Sequence, residues 1–279
     1  MSKCSFTIIT STYNAAATLP RLLDSLASQT CRDFNWIVQD GASSDATIQI
    51  VEQYRNRLPE ILADSSKDKG IYDAWNKAID RWQDRMGEWV LFLGADDRLA
   101  SADILAKVQE ELSNLPADTI FAAGDIIYLD AKGNFHSVFN TPYNDIAFKQ
   151  RFCGMPVPHT ALFTRKSIVQ HKFDTSLRIA GDFDFILREF HTPSQLKRLG
   201  FLITYMGYGG ISTNTTNYGL NETERSLVIK KYSLYHFTIL KLNNLKNYIL
   251  THIKNLLLQS KIGIKIFFIL KTMKNRIFR

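Results

Sequence analysis

The chain has 279 residues, 45% of them hydrophobic and 22% charged, and a formal net charge of +7. That length and composition fit one large globular domain with an appendage and exclude a disordered or collagenous chain. Three cysteines, Cys4, Cys31 and Cys153, at no metal-like spacing argue against a disulfide framework and for a reducing compartment.

The charge is unevenly placed. Of the 34 Lys and Arg residues, 12 lie in 225–279, which holds no Asp or Glu; the preceding 224 residues carry 22 basic against 27 acidic side chains. A mildly acidic body therefore precedes a strongly basic end, with a polar, Asn/Thr-rich linker over residues 213–222. The expected division is 1–215 and 216–279. The start, Met1-Ser2-Lys3-Cys4, has no signal-peptide pattern, and no apolar run reaches the length of a membrane span.

In chain order, residues 5–10 read as a strand running into Ser11-Thr12-Tyr13-Asn14. Leu19, Leu22, Leu23 and Leu26 predict a helix over 19–28, with Pro20 in its first turn. A second strand, 34–39, ends in Asp40-Gly41-Ala42-Ser43-Ser44-Asp45, whose last residues can cap a helix over 46–57. A third strand, 60–63, leads through a polar loop to a helix over 71–82. The apolar run Val90-Leu91-Phe92-Leu93 predicts a buried central strand that ends in Gly94-Ala95-Asp96-Asp97, before a helix over 101–115. The second half is more mixed. Residues 126–129 and 135–138 flank a hairpin turn at Asp130-Ala131-Lys132-Gly133, and 161–164 is a short strand. A helix over 181–191 carries Asp182 and Asp184 in its first turn, and a late strand, 201–206, precedes Tyr208-Gly209-Gly210.

Strand alternates with helix through the first half, which predicts an α/β fold with a mainly parallel sheet. Ligands of such sheets bind beyond the carboxyl ends of the strands. Ser11, Thr12, Tyr13, Asp40, Lys69, Asp96 and Asp97 all fall at such ends. Residues 10–17 contain no glycine, so the dinucleotide fingerprint G-x-G-x-x-G is absent, as is a glycine-rich triphosphate loop of the nucleotidyltransferase kind. Two adjacent acids at the mouth of a buried strand are costly unless neutralised. A hard divalent cation, Mn²⁺ or Mg²⁺, with a phosphate as co-ligand is the usual neutraliser; an Asp-Asp turn capping the next helix is the other reading.

Five segments taken together resemble a known family. They are Thr10-Ser11-Thr12-Tyr13-Asn14, Val38-Gln39-Asp40-Gly41-Ala42-Ser43-Ser44-Asp45-Ala46-Thr47, Asp68-Lys69-Gly70-Ile71-Tyr72-Asp73-Ala74-Trp75-Asn76-Lys77, Gly94-Ala95-Asp96-Asp97 and Ala180-Gly181-Asp182-Phe183-Asp184. Their order and spacing resemble the family 2 glycosyltransferases, in particular the bacterial polysaccharide branch, over residues 5–212. The resemblance implies a GT-A fold, a Rossmann-like, mainly parallel sheet flanked by helices, here followed by a helical, basic C-terminal tail. It implies an inverting transfer from a nucleotide-diphosphate sugar, a UDP-sugar first, to a saccharide acceptor. Asp182 takes the place of the catalytic carboxylate, with Asp184 as second candidate. Asp97, with Asp96, stands at the metal position for Mn²⁺ or Mg²⁺. Ser11, Thr12, Tyr13, Asp40, Lys69 and Asp96 stand on the nucleotide-sugar side.

Several residues keep two readings. Asp40 either accepts a hydrogen bond from the nucleobase or braces its own turn. Lys69 either pairs with the diphosphate or is solvated. His159 touches metal or acceptor, or packs. Trp75 and Asn76 share an amphipathic helix, so at least one of them packs. Gly209-Gly210 admits a phosphate or forms a turn. In the tail, Ile249, Ile253, Leu256 and Leu257 share one helical face, and Lys254, Lys261 and Lys265 another. That pattern predicts helices lying in an anionic membrane interface, at the cytoplasmic face of the cell membrane, beside a lipid-linked acceptor. Packing on the catalytic domain and an oligomer contact are the alternatives. Nucleic acid is not an expected partner, because no aromatic platform accompanies the charge. A non-catalytic sugar-nucleotide or glycan-binding protein on the same fold is the competing function.

Overall fold

The computed structural model describes residues 5–113, 115–130, 132–210, 215–238 and 241–242. The elements run β1 (Phe6–Thr12), α1 (Leu19–Ala27), β2 (Phe34–Asp40), α2 (Thr47–Gln53), β3 (Ile61–Ser65), α3 (Ile71–Trp82), β4 (Trp89–Phe92), β5 (Arg98–Leu99), α4 (Ile104–Leu112), β6 (Phe121–Leu129), β7 (Phe135–Phe139), α5 (Asn144–Gln150), β8 (Leu162–Arg165), α6 (Lys166–Val169), α7 (Gly181–Glu189), β9 (Leu196–Gly207) and α8 (Tyr218–Tyr232). The strands form one mixed sheet in the order β3-β2-β1-β4-β8-β6-β9-β5, with β7 added to β6. β1 to β4 are parallel neighbours. Beyond β4, β8 runs antiparallel to both β4 and β6, and β9 lies parallel to β6.

Period-two alternation explains why the sheet is covered on both sides. Ile8, Trp36, Val38 and Leu91 join Leu19, Leu22 and Leu26 of α1 and Leu105 and Val108 of α4 in one core. Their strand neighbours Ile9, Ile37, Val90 and Phe92 turn to the opposite face. There they meet Tyr72, Trp75 and Ile79 of α3 and Phe185 and Ile186 of α7. Each fully buried large side chain contributes about 1.5–3 kcal/mol relative to exposure, so these two layers dominate the fold.

The chain lays down β1, β2 and β3 in one direction and then returns to place β4 on the other side of β1. The reversal opens a crevice beyond the carboxyl ends of β1 and β4, the place where open α/β sheets bind ligands. The two-residue strand β5 then pairs with Thr204 and Tyr205 of β9, drawing the end of β9 over the turn that follows β4.

The helix expected over 101–115 is shorter in the structure. Ser101 bonds its hydroxyl to the Asp103 carboxylate, which occupies the start, and Ser113 is extended at the other end. The late strand is longer than expected, because Leu196, Lys197 and Arg198 pair with Phe121, Ala122 and Ala123 although their polar pattern does not read as strand.

Two compact units are distinguished, Met1–Val228 and Ile229–Arg279. The sheet and every candidate site residue belong to the first. In the second, Ser233 and Phe237 donate backbone hydrogen bonds to Ile229 and Ser233. The amphipathic tail helices expected around Ile249–Leu257 and Lys254–Lys265 lie outside the described residues. Among the described residues no helix is long and apolar enough to cross a membrane.

Candidate active site

A cavity of about 590 Å³ occupies the crevice at the β1/β4 switch point. The β1–α1 loop supplies Ser11, Thr12, Tyr13 and Asn14, and the turn after β4 supplies Gly94, Ala95, Asp96 and Asp97. α3 adds Tyr72 and Trp75, and the second half of the chain adds His159, Arg178, Ile179, Asp182, Met206 and Gly207. Of the residues singled out from sequence, Ser11, Thr12, Tyr13, Asp96, Asp97, His159 and Asp182 are thus brought together. Tyr13, 69% exposed, forms an aromatic lip.

Asp97 is buried while its neighbour Asp96 is exposed towards the cavity. Asp97 Oδ2 accepts the Gly94 N–H at 2.7 Å and Oδ1 the Gly207 N–H at 3.3 Å. Gly207 packs against Asp96 so closely that a Cβ there would lie 2.4 Å from the Asp96 carboxylate as it stands. Burial first, and then the charge of Asp96, push the Asp97 carboxyl up to about 7. Two hydrogen bonds thus leave a desolvated acid beside a like charge. That unbalanced pair, made of oxygen donors alone, fits a hard divalent cation whose other ligands are phosphate oxygens or water. Among the described residues no group of three or more His, Cys, Asp or Glu side chains is arranged to hold an ion.

Asp182 sits in the first turn of α7. Its Oδ1 accepts the Phe183 N–H at 2.8 Å and lies 3.2 Å from the Tyr72 hydroxyl, whose one proton points mainly to the Ile179 carbonyl at 2.6 Å, and its Oδ2 lies 3.2 Å from His159 Nδ1. Burial, and then the charge of Asp182, hold Tyr72 well above the usual tyrosine range, so it remains a neutral donor. Burial works against a charged His159, but the hydrogen bond to Asp182 and the charges of Asp182, Asp97 and Asp96 outweigh it and raise its pKa. α7 approaches α3 so closely that a Cβ on Gly181 would lie 2.6 Å from the Tyr72 ring.

Three expected site residues are placed elsewhere. Asp184 is fully buried in α7, with Oδ2 3.9 Å from Arg188 Nη1. A residue two places along a helix turns away from the face its predecessor presents, so it is not the alternative to Asp182. Lys69 lines a smaller neighbouring cavity of about 180 Å³ with Asp73 and Arg178, and not the main one.

Asp40 is fully buried and does not line the cavity. It accepts four hydrogen bonds, from the Thr12, Ser43 and Ser65 hydroxyls and the Ser43 N–H, at 2.5–2.8 Å. Those bonds use all the lone pairs of a carboxylate. Burial alone would raise its pKa, but the bonds from Ser43, Ser65 and Thr12 hold it below the ordinary range. In this arrangement it braces its own turn. The motif it opens also ties down the β1–α1 loop, since Asn14, Ala15 and Ala16 donate backbone N–H groups to Ser43, Thr47 and Asp45.

Trp75 packs on Phe92 and Phe173 and also lines the cavity, while Asn76 exchanges two 2.9 Å hydrogen bonds with the Phe173 backbone and is structural. Gly210 lines the cavity. Among the lining residues not singled out from sequence are Tyr72, Arg178 and Gly207. Tyr72 and Arg178 lie close in sequence to Lys69 and Asp182, but adjacency does not say which side chain turns inward.

Comparison with known proteins is consistent with this geometry. Residues 7–172 match the family model described as Glycosyl transferase family 2. A PGL/p-HBAD biosynthesis glycosyltransferase from Mycobacterium bovis is 34% identical over 213 residues, 74% of this chain and 78% of that protein. The crystal structure of S. aureus TarS 1-349 in complex with UDP-GlcNAc superposes with a TM-score of 0.62 at 20% identity, covering 83% of this chain and 68% of that one. The mannosyltransferase PcManGT from Pyrobaculum calidifontis, in complex with GDP-Man and Mn²⁺, gives a TM-score of 0.54 at 19% identity over 85% of this chain and 64% of the other. Carboxylates gathered at the β1/β4 switch point of a GT-A-like sheet, and the family match over most of that sheet, lead to one conclusion: the chain is a glycosyltransferase and belongs to glycosyl transferase family 2.

Proposed function

We propose that this chain transfers a glycosyl group, with inversion, from a nucleotide-diphosphate sugar, a UDP-sugar in the first instance, to the hydroxyl of a saccharide acceptor. The observation that supports the reading most is the presence of Asp96 and Asp97 from the end of β4 and Asp182 from α7 in one cavity of about 590 Å³, a volume typical of small-molecule sites. The UDP-GlcNAc and GDP-Man complexes of the two fold neighbours add to it.

The acceptor oxygen attacks the anomeric carbon, forming the new C–O bond as the bond from that carbon to the phosphate oxygen breaks. The nucleoside diphosphate leaves with the electron pair, and the acceptor proton goes to Asp182 as general base. His159 and the Phe183 N–H hold that carboxylate in one orientation, with the Tyr72 hydroxyl 3.2 Å away, and leave a lone pair on Oδ2 for the acceptor. Tyr13 offers a flat face to the base, and Arg178 offers a positive charge to the diphosphate. Asp97, with Asp96 beside it, would hold Mn²⁺ or Mg²⁺, which when bound supplies positive charge against the leaving diphosphate.

The basic C-terminal region, 216–279 in the division read from sequence, brings the enzyme to an anionic membrane that carries a lipid-linked acceptor. Lys and Arg near such a surface contribute about 1 kcal/mol each. α8 through Glu224 stays with the transferase unit. Full-length protein is expected to sediment with anionic vesicles at low salt and to be released at high salt; no sedimentation removes the membrane partner.

UDP release from a panel of UDP-hexoses with Mn²⁺, with the anomeric configuration of the product read by NMR, tests the reaction. Asp182→Asn is expected to bind UDP as wild type does and to lose about 10²–10⁴-fold in turnover. Unchanged turnover takes Asp182 out of the chemistry.

A further inference from the structure

We infer that Glu224, on α8, is a positioning residue of the transfer reaction, an inference that rests on the transferase reading above. Glu224 is 6% exposed and does not line the cavity. Its Oε1 accepts the Arg178 N–H at 2.9 Å, and its Oε2 accepts the Ile179 and Ala180 N–H groups at 2.8 and 2.9 Å. Three consecutive backbone N–H groups aimed at one anion form a nest, and a carboxylate in a nest makes strong, charge-assisted bonds. Ala180 immediately precedes α7, so the same carboxylate also meets the positive end of that helix.

The opposite side of this segment is held by α3. The Tyr72 hydroxyl donates to the Ile179 carbonyl at 2.6 Å. The Ile179 residue is therefore gripped through its N–H by one helix and through its C=O by another. Arg178 and Ile179 line the cavity on one side of this grip, and Asp182 follows two residues after Ala180. A fold that needed only to seat α8 would be served as well by an apolar side chain, because burying a carboxylate is costly unless its bonds are specific. Glu224 directs its bonds to the segment that presents Arg178 and Asp182. It also lies beyond residues 7–172 covered by the family model, and it is the last acid before the 12 basic residues that end the chain.

Hydrogen–deuterium exchange and UDP release, measured on full-length wild type and on Glu224→Gln, Glu224→Asp and Glu224→Ala, decide the matter. Glu224→Gln removes the charge and one acceptor while keeping the shape, so it serves if Glu224→Ala does not fold. Exchange at the amides of Arg178, Ile179 and Ala180 is expected to rise at least about tenfold in Glu224→Gln, with β1 and β4 unchanged. The kcat is expected to fall at least about tenfold, more than the donor KM rises, since small misplacements of a reacting group carry rate costs up to about 10²-fold. Glu224→Asp, which keeps the carboxylate, recovers part of the loss. Unchanged exchange at the three amides overturns the inference, and so does raised exchange with wild-type kcat and KM. Wild-type protein that turns over no sugar nucleotide overturns the transferase reading and this inference with it.

Discussion

Two turns at the ends of parallel strands carry buried aspartates, and they differ in how many donors meet the carboxylate. After β2, Asp40 accepts four hydrogen bonds and its pKa is lowered despite burial. After β4, Asp97 accepts two, lies beside Asp96, and is pushed up to about 7. One acid is satisfied within the protein and holds loops together. The other is left electrostatically unbalanced at a cavity, the condition expected where a site is built to receive charge from a ligand. Equal burial and similar strand-end placement therefore do not imply equal roles. What separates them is the count of donors around each carboxylate and the like charge of Asp96 beside one of them.

Substitutions can break or sharpen this contrast. The largest effect is expected at the unbalanced turn. Asp97→Asn should reduce Mn²⁺-supported UDP release about 10²–10³-fold, with little loss of melting temperature. A large fall in stability with turnover retained would reverse the assignment of the two turns. At the satisfied turn the outcome is opposite. Asp40→Asn should lower stability by about 1–3 kcal/mol, a drop of roughly 2–10 °C in Tm, with turnover retained well below the transition.

The pH dependence sharpens the same point. The folded pKa of Asp40 lies below its ordinary value of 3.8, so its contribution is present above that value and is lost as pH falls through the folded pKa. The stability gap between wild type and Asp40→Asn is therefore expected to narrow below about pH 4 in chemical denaturation. A gap that widens in acid would contradict the hydrogen-bond account. The smallest effect is expected at Lys69, which sits in the side cavity. Lys69→Ala should change UDP affinity by no more than about fivefold in calorimetry. A loss well beyond that would place the donor phosphates in the smaller cavity.

Much of the fold was legible from local pattern. The leucine spacing of α1 and the 12-residue amphipathic helix α3 were read to within a residue, because a helix that buries one face must repeat its apolar positions. Strand β5 was invisible, since two residues carry no period. At the site, Asp97 was singled out from motif and strand-end position and Asp182 from its match to the family segment, and both line the cavity. Asp40 and Lys69 sit in equally recognisable segments, yet Asp40 is spent on its own turn and Lys69 lines the side cavity. Arg178 and Gly207 had no local signature at all, because what matters about them is which distant segment they meet.

By itself the sequence determined the alternation of strand and helix, the acids at the strand ends and the uneven charge, since these follow from short-range periodicity and composition. Tertiary structure alone decided which acid is saturated and which faces the cavity, and that a glutamate more than 40 residues downstream grips the backbone ahead of Asp182. Such pairings depend on the three-dimensional meeting of donors and acceptors remote in the chain, and no local period encodes them.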